Sequence, residues 1–159
     1  DGKMKMYYLV LFLGKTGARV SELRQFKKKD LVKGYAEIPT KGKIRRIYFC
    51  DRLRNDEVYA FFADFKDDDF LFQNRWGEQI TARGISQQLI NYAHKYSINE
   101  KVMHPHSFRH FFAIEFLKHD NDISLLADLM GHSSINTTAI YLRLSKEQQI
   151  DRLNKAMNF

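Results

Sequence analysis

The last third of the chain is punctuated as a run of short helices whose ends carry basic residues, and that punctuation leaves few folds open. Pro105 has no N–H to lose at a helix start, so a helix is expected over about 106–119. Gly131 ends a second helix over 123–130, a serine of Ser133-Ser134 can cap a third over 134–143, and a fourth is expected over 146–157. Near the other end of the chain, Lys5 to Lys15 reads as a mostly buried apolar helix stopped by Thr16-Gly17, with a shorter helix from Val20 to about Phe26.

Between these helical regions the pattern changes. Tyr35 to Ile38 and Ile44 to Phe49 read as two strands closed by the turn Thr40-Lys41-Gly42-Lys43. Asp51 can cap a helix running to about Phe65, Asp67-Asp68-Asp69 reads as a solvated turn, and Phe70-Leu71-Phe72 as a short strand. Thr81 opens an amphipathic helix to about Ser97 that buries Ile85, Leu89, Ile90 and Tyr92. The expected class is α+β, mainly α-helical with a small antiparallel β-sheet.

Composition narrows the function classes. The 159 residues, 44% of them hydrophobic, suit one globular domain spanning 1–159, with no internal repeat. The single cysteine, Cys50, excludes an internal disulfide framework, and no segment reads as a signal peptide or a membrane span; the expected setting is cytoplasmic, without a membrane partner. A formal net charge of +7 favours a polyanionic partner. Arg83, Gln87 and Gln88 on the polar face of the 81–97 helix have the chemistry to meet base edges, although exposed polar residues on a helix are ordinary. The run Lys27-Lys28-Lys29 reads as a solvated face and at most a peripheral DNA contact.

Basic residues fall at three helix ends. His106 and Arg109 are expected to share one face in a first helical turn, where free N–H groups and the helix dipole attract an anion. Arg109 adds a planar fork of donors suited to phosphate oxygens. His132 stands at the entry to the next helix, and Arg19 at the junction in Thr16-Gly17-Ala18-Arg19-Val20-Ser21-Glu22-Leu23, where it can equally cap a helix or pair with Glu22. Nine residues beyond His132 lies Tyr141, whose bland reading is core packing with a surface hydroxyl. His94, His104 and His119 belong with ordinary core or surface histidines.

Taken in order, these motifs resemble the catalytic domain of the tyrosine recombinases, the phage-integrase family, from Thr16 to about Ser145. The Thr-Gly-x-Arg-x-Ser-Glu-Leu motif is matched through Arg19, the His-x-x-Arg-His box by His106, Arg109 and His110, and the Leu-Gly-His-Ser-Ser box by Met130 to Ser134. The nucleophile's place falls on Tyr141. The family's hairpin lysine is carried to Lys41, with Lys43 a rival because the turn is shorter than the family pattern, and Phe111 replaces a residue more often small and polar, a change expected to alter packing behind the site.

The resemblance implies breakage and rejoining of double-stranded DNA through a covalent 3′-phosphotyrosine, with no metal or nucleotide cofactor. Tyr141 is the implied nucleophile, His106 its base, Arg19, Arg109 and His132 the phosphate ligands, Lys41 the acid, and His110 a support. It also implies other recombinase subunits in a synaptic tetramer, with the apolar stripe Ile150, Leu153, Met157 of helix 146–157 either packed at home or hooked onto a neighbour. Family members carry an N-terminal core-binding domain that this chain lacks, so the chain is expected to be a fragment. Two other readings stand beside this one: a catalytically silent DNA-binding module of the same fold, and a metal-dependent hydrolase using His104, His106, His110 and His132. Against the second, Ser107 stands where a zinc-protease helix has glutamate, and Arg109 sits between the would-be ligands.

Overall fold

A computed structural model describes residues 2–132, 135–140 and 146–159. The chain forms two compact units, Asp1–Glu115 and Phe116–Phe159.

The first unit is organised around α1 (Gly2–Thr16), which buries Met6, Tyr8, Leu9, Phe12 and Leu13. Phe12 is fully buried, and its ring meets those of Phe26, Phe49, Phe62 and Phe72 at centroid distances of 5.5–6.4 Å, mostly edge to face. One aromatic side chain from a central helix thus joins four later segments. Two short helices follow, α2 (Val20–Leu23) and α3 (Lys28–Lys33). The strands β1 (Tyr35–Thr40) and β2 (Lys43–Tyr48) pair antiparallel, with Tyr35 opposite Tyr48 and Thr40 opposite Lys43. Their two-residue turn, Lys41-Gly42, has φ of 42° and 78°. Positive φ at both positions gives the type I′ twist that suits a two-residue hairpin. Ala36, Ile38 and Ile47 face the core.

The lysine run departs from expectation. It opens α3, because the Asp30 carboxylate accepts the Lys27 N–H at 2.9 Å and so caps the helix start. Lys28 Nζ donates to the Phe62 carbonyl, Lys29 pairs with Asp68 at 3.0 Å, and the Lys27 ammonium lies 5.2 Å over the Phe70 ring. The run is therefore tied into the fold instead of forming a simple solvated face. The helix expected from Asp51 also differs: Asp51–Leu53 is a 3₁₀ turn, and α4 (Asp56–Phe61) starts at Asn55, whose side chain accepts the Val58 N–H. Phe70 to Phe72 contributes only an isolated bridge, Lys27 to Phe70, in place of a strand. α5 (Ala82–Lys95) starts as expected, capped by Thr81 Oγ1 on the Gly84 N–H, and buries Ile85, Leu89 and Ala93 at helical spacing.

α6 (Pro105–His119) begins where Pro105 directs. In the second unit, α7 (Ile123–Met130) is capped by Asp122 and ended by Gly131 in the left-handed region, φ 70°. His132 N–H reaches the Ala127 carbonyl and Gly131 N–H that of Asp128, the paired bonds of a Schellman end. α7 packs on α8 (Ile135–Ala139), and α9 (Lys146–Ala156) follows, with Ile150 and Leu153 exposed. The expected serine cap, in Ser133-Ser134, lies outside the described residues. No helix among the described residues is long and apolar enough to cross a membrane.

Candidate active site

The first arginine is placed by the way α1 ends. Thr16 Oγ1 bonds back to the Phe12 carbonyl at 2.7 Å and accepts the Ala18 N–H at 3.1 Å. Gly17, at φ 64°, then reverses the chain, a conformation that penalises any Cβ. Space forbids one as well, because a Cβ on Gly17 would collide with the Phe112 ring of α6. The close approach lets Arg109, three residues before Phe112, donate from Nη1 to the Gly17 carbonyl at 2.5 Å. Arg109 is only 6% exposed, and a buried guanidinium requires such hydrogen bonds to offset lost hydration.

Arg19 follows two residues later as the N-cap of α2, its side chain 43% exposed. Glu22, at the third helical position, is 4% exposed and accepts the Arg19 N–H on Oε1 at 2.8 Å. Its Oε2 lies 3.7 Å from Arg19 Nη1 and accepts a short hydrogen bond from Arg45 Nη1. Arg19 therefore occupies the cap position without capping through its own side chain, and it pairs with Glu22, while the same carboxylate fastens β2 to α2. Arg45 was not singled out by the sequence pattern, since its partner lies 23 residues away.

Lys41 and Lys43 are exposed around the tip of the fastened hairpin, and neither ammonium has an ion-pair or hydrogen-bond partner among the described residues. Lys41 occupies the first turn position and Lys43 begins β2.

On α6, His106 is the second residue and Arg109 the fifth, so Arg109 sits just past the first turn in which both were expected. His106 is exposed, with its ring 6.3 Å from that of His110. His104 Nε2 bonds to Ser107 Oγ at 2.8 Å, and His94 to Glu100 at 2.8 Å, ordinary structural roles for both. Phe111 is half exposed and lies across Gly14. Among the described residues, no group of three or more His, Cys, Asp or Glu side chains gathers where it could hold a metal ion.

In the second unit, His132 follows the Schellman glycine directly. Its Nδ1 lies 2.5 Å from Oγ1 of Thr138, which is fully buried on α8. The hydroxyl fixes the ring plane and engages one nitrogen. Thr138 gave no sequence signal beyond lying three residues before Tyr141. Tyr141 itself lies outside the described residues.

The first unit thus brings Arg19 and Arg109 to one turn, carries His106 on the helix that holds Arg109, and ties the lysine hairpin to the Arg19 helix. The second unit holds His132 against α8.

Residues 1–148 match the sequence profile of the phage integrase family. The chain is 33% identical over 154 residues to the tyrosine recombinase XerC of Leptospira interrogans, covering 93% of this chain and 49% of that protein. It therefore spans about half the length of the curated relatives it matches. Among solved structures, the XerA recombinase superposes with a TM-score of 0.74 at 26% identity, over 96% of this chain and 56% of that one. The catalytic domain of bacteriophage HP1 integrase shares the fold, with a TM-score of 0.62 at 22% identity over 91% of this chain and 78% of that one. A match along nearly the whole chain, together with the Gly17-centred arginine turn, places this protein in the phage integrase family of tyrosine recombinases.

Proposed function

We propose that this chain is the catalytic part of a site-specific DNA recombinase that cuts and reseals duplex DNA through a 3′-phosphotyrosine. The observation that carries this reading is the bond between Arg109 and Gly17, which joins the turn leading to Arg19 to the helix of His106 and Arg109. Arginine pairs held at a fixed spacing suit the equatorial oxygens of a phosphate in in-line displacement.

In this mechanism Tyr141 Oη attacks the scissile phosphorus and the P–O5′ bond breaks. A free phenol has a pKa of about 10, so its proton must leave during attack, and His106 accepts it directly or through water. Arg19, Arg109 and His132 hold the non-bridging oxygens as charge builds, and Lys41 gives a proton to the departing O5′. The phosphotyrosine keeps the ester activated, so a 5′-hydroxyl of another strand reverses the step without a nucleotide cofactor. His110 supports His106 from one turn further along α6, and Lys43 meets backbone phosphate. The partners are duplex DNA and further copies of the recombinase in a synaptic tetramer, for which the exposed Ile150, Leu153 and Met157 offer a docking stripe. The setting is the cytoplasm.

The test is to incubate the protein with a duplex nicked close to the candidate cleavage position, so that the cut fragment diffuses away and the covalent complex is trapped. A denaturant-resistant protein–DNA adduct that persists in chelator supports the reading. Products with free 3′ and 5′ ends, formed only with a divalent ion, would replace it with metal-dependent hydrolysis.

A further inference from the structure

Trp76 is the sole tryptophan of the chain and is 69% exposed, yet the turn carrying it is firmly built. Asn74 Oδ1 accepts the N–H groups of Trp76 at 2.9 Å and Glu78 at 3.0 Å. Asn74 N–H donates to the Glu78 carbonyl at 2.8 Å, and Gly77 supplies the left-handed residue at φ 78°. The Arg75 guanidinium lies 4.3 Å over the indole ring. Exposure of a large aromatic on a rigid turn, already stacked with a cation, produces a flat cationic face with an indole N–H at its edge.

The base of this turn is riveted to the arginine site. Gln79 Nε2 donates to the Arg24 carbonyl at 2.9 Å, and Arg24 Nε donates to the Ile80 carbonyl at 3.0 Å. Arg24 is the C-cap of α2 and Arg19 is its N-cap, so one four-residue helix, about 6 Å long, separates the two features. Exposed Arg83, in the first turn of α5, adds a further cation beyond the turn, against the single carboxylate of Glu78 within it.

We propose that Trp76 and Arg75 form a second DNA contact, packing against the sugar–phosphate backbone of the duplex that flanks the phosphate held by Arg19 and Arg109. This inference rests on the reading of the chain as a DNA recombinase. The indole covers deoxyribose and its N–H meets a phosphate oxygen, while Arg75 pairs with the next phosphate. Such a contact is sequence-tolerant and sets the register of the duplex relative to the arginines.

The single tryptophan makes the test direct. Mixed-sequence duplex DNA carrying fluorescein at one end is titrated with the protein at low salt, reading anisotropy for binding and, with unlabelled duplex, indole emission and its quenching by neutral acrylamide for Trp76. The expected result is an anisotropy rise accompanied by about threefold less acrylamide quenching, with Trp76→Ala weakening affinity about fivefold and Trp76→Phe recovering most of it. Arg75→Ala lowers the slope of log affinity against log salt by about one. Binding by anisotropy with unchanged acrylamide access and an unaffected Trp76→Ala variant overturns the proposal while leaving DNA binding standing. Absence of any anisotropy rise at low salt overturns the DNA reading and this contact with it. Shielding of Trp76 that tracks protein concentration without DNA overturns it in favour of a protein–protein surface.

Discussion

Arg109 reaches across 92 residues of chain to place its guanidinium on the carbonyl of Gly17, and that bond is possible because Gly17 has no side chain. The Phe112 ring fills the space a Cβ would need, so α6 closes on the α1–α2 turn. Gly17→Ala combines a left-handed strain with a collision and is expected to cost about 2–5 kcal/mol of stability. Urea denaturation of Gly17→Ala, Phe112→Ala and the double variant checks this. The double variant should lose less than the sum of the singles, because truncating the ring removes the collision; strict additivity would mean that the two residues do not meet.

Glu22 connects Arg19 to Arg45, so its charge is expected to matter more than its size. Glu22→Gln keeps the shape but leaves the Arg45 guanidinium, 10% exposed, without its carboxylate, and should destabilise the fold by about 3 kcal/mol. Adduct formation should fall further than stability predicts, since the glutamine oxygen still accepts the Arg19 N–H but the lysine hairpin loses its charged hold through Arg45. Combining Glu22→Gln with Arg45→Met should recover part of the stability in thermal unfolding but not the adduct rate.

Thr138 Oγ1 holds the His132 ring through Nδ1. Thr138→Val is nearly isosteric, removes the hydroxyl bonded to Nδ1, and is expected to cost about 1 kcal/mol of stability and about tenfold in the rate of adduct formation. Thr138→Ser should restore most of the rate. Equal rates for Val and Ser would leave the His132 ring held by something other than this hydroxyl.

Much of this arrangement is legible in the residues, and the illegible part has a physical cause. Local signals worked where the partner is close in sequence: Pro105 starting α6, Thr81 capping α5, Gly131 ending α7, and the glycine turn of the hairpin all resolve within about four residues. The failures involve competing local choices or distant partners. Asp51 is as good a cap as Asn55, but the helix starts at Asn55. Lys27 to Lys29 reads as a solvated run because Phe62, Asp68 and Phe70, which hold it, are more than 30 residues away. Arg45 is invisible for the same reason, whereas Glu22 stands at the third helical position after Arg19, where a cap partner is expected.

The hairpin geometry sharpens the choice between the two lysines. Lys41 has φ 42°, so Lys41→Asn removes the amine while keeping a residue that tolerates the left-handed turn, which alanine does not. If Lys41 is the acid, this variant should be slow on an ordinary phosphodiester and substantially rescued by a 5′-phosphorothiolate, whose leaving group needs no proton. Arg109→Ala should stay impaired on both substrates. Lys43→Ala should lose mainly affinity, increasingly so with salt. Rescue of Lys43→Ala instead would move the acid to β2.

In the proposed reaction Tyr141 takes the phosphate held by Arg19 and Arg109. The direct measurement is to trap the adduct on a nicked duplex, digest the protein, and locate the phosphotyrosine-linked peptide by mass spectrometry, alongside Tyr141→Phe. The expected result is a linkage in the peptide containing Tyr141 and, for Tyr141→Phe, retained DNA binding with no adduct. A linked peptide containing any other residue, or an adduct that survives Tyr141→Phe, would contradict it.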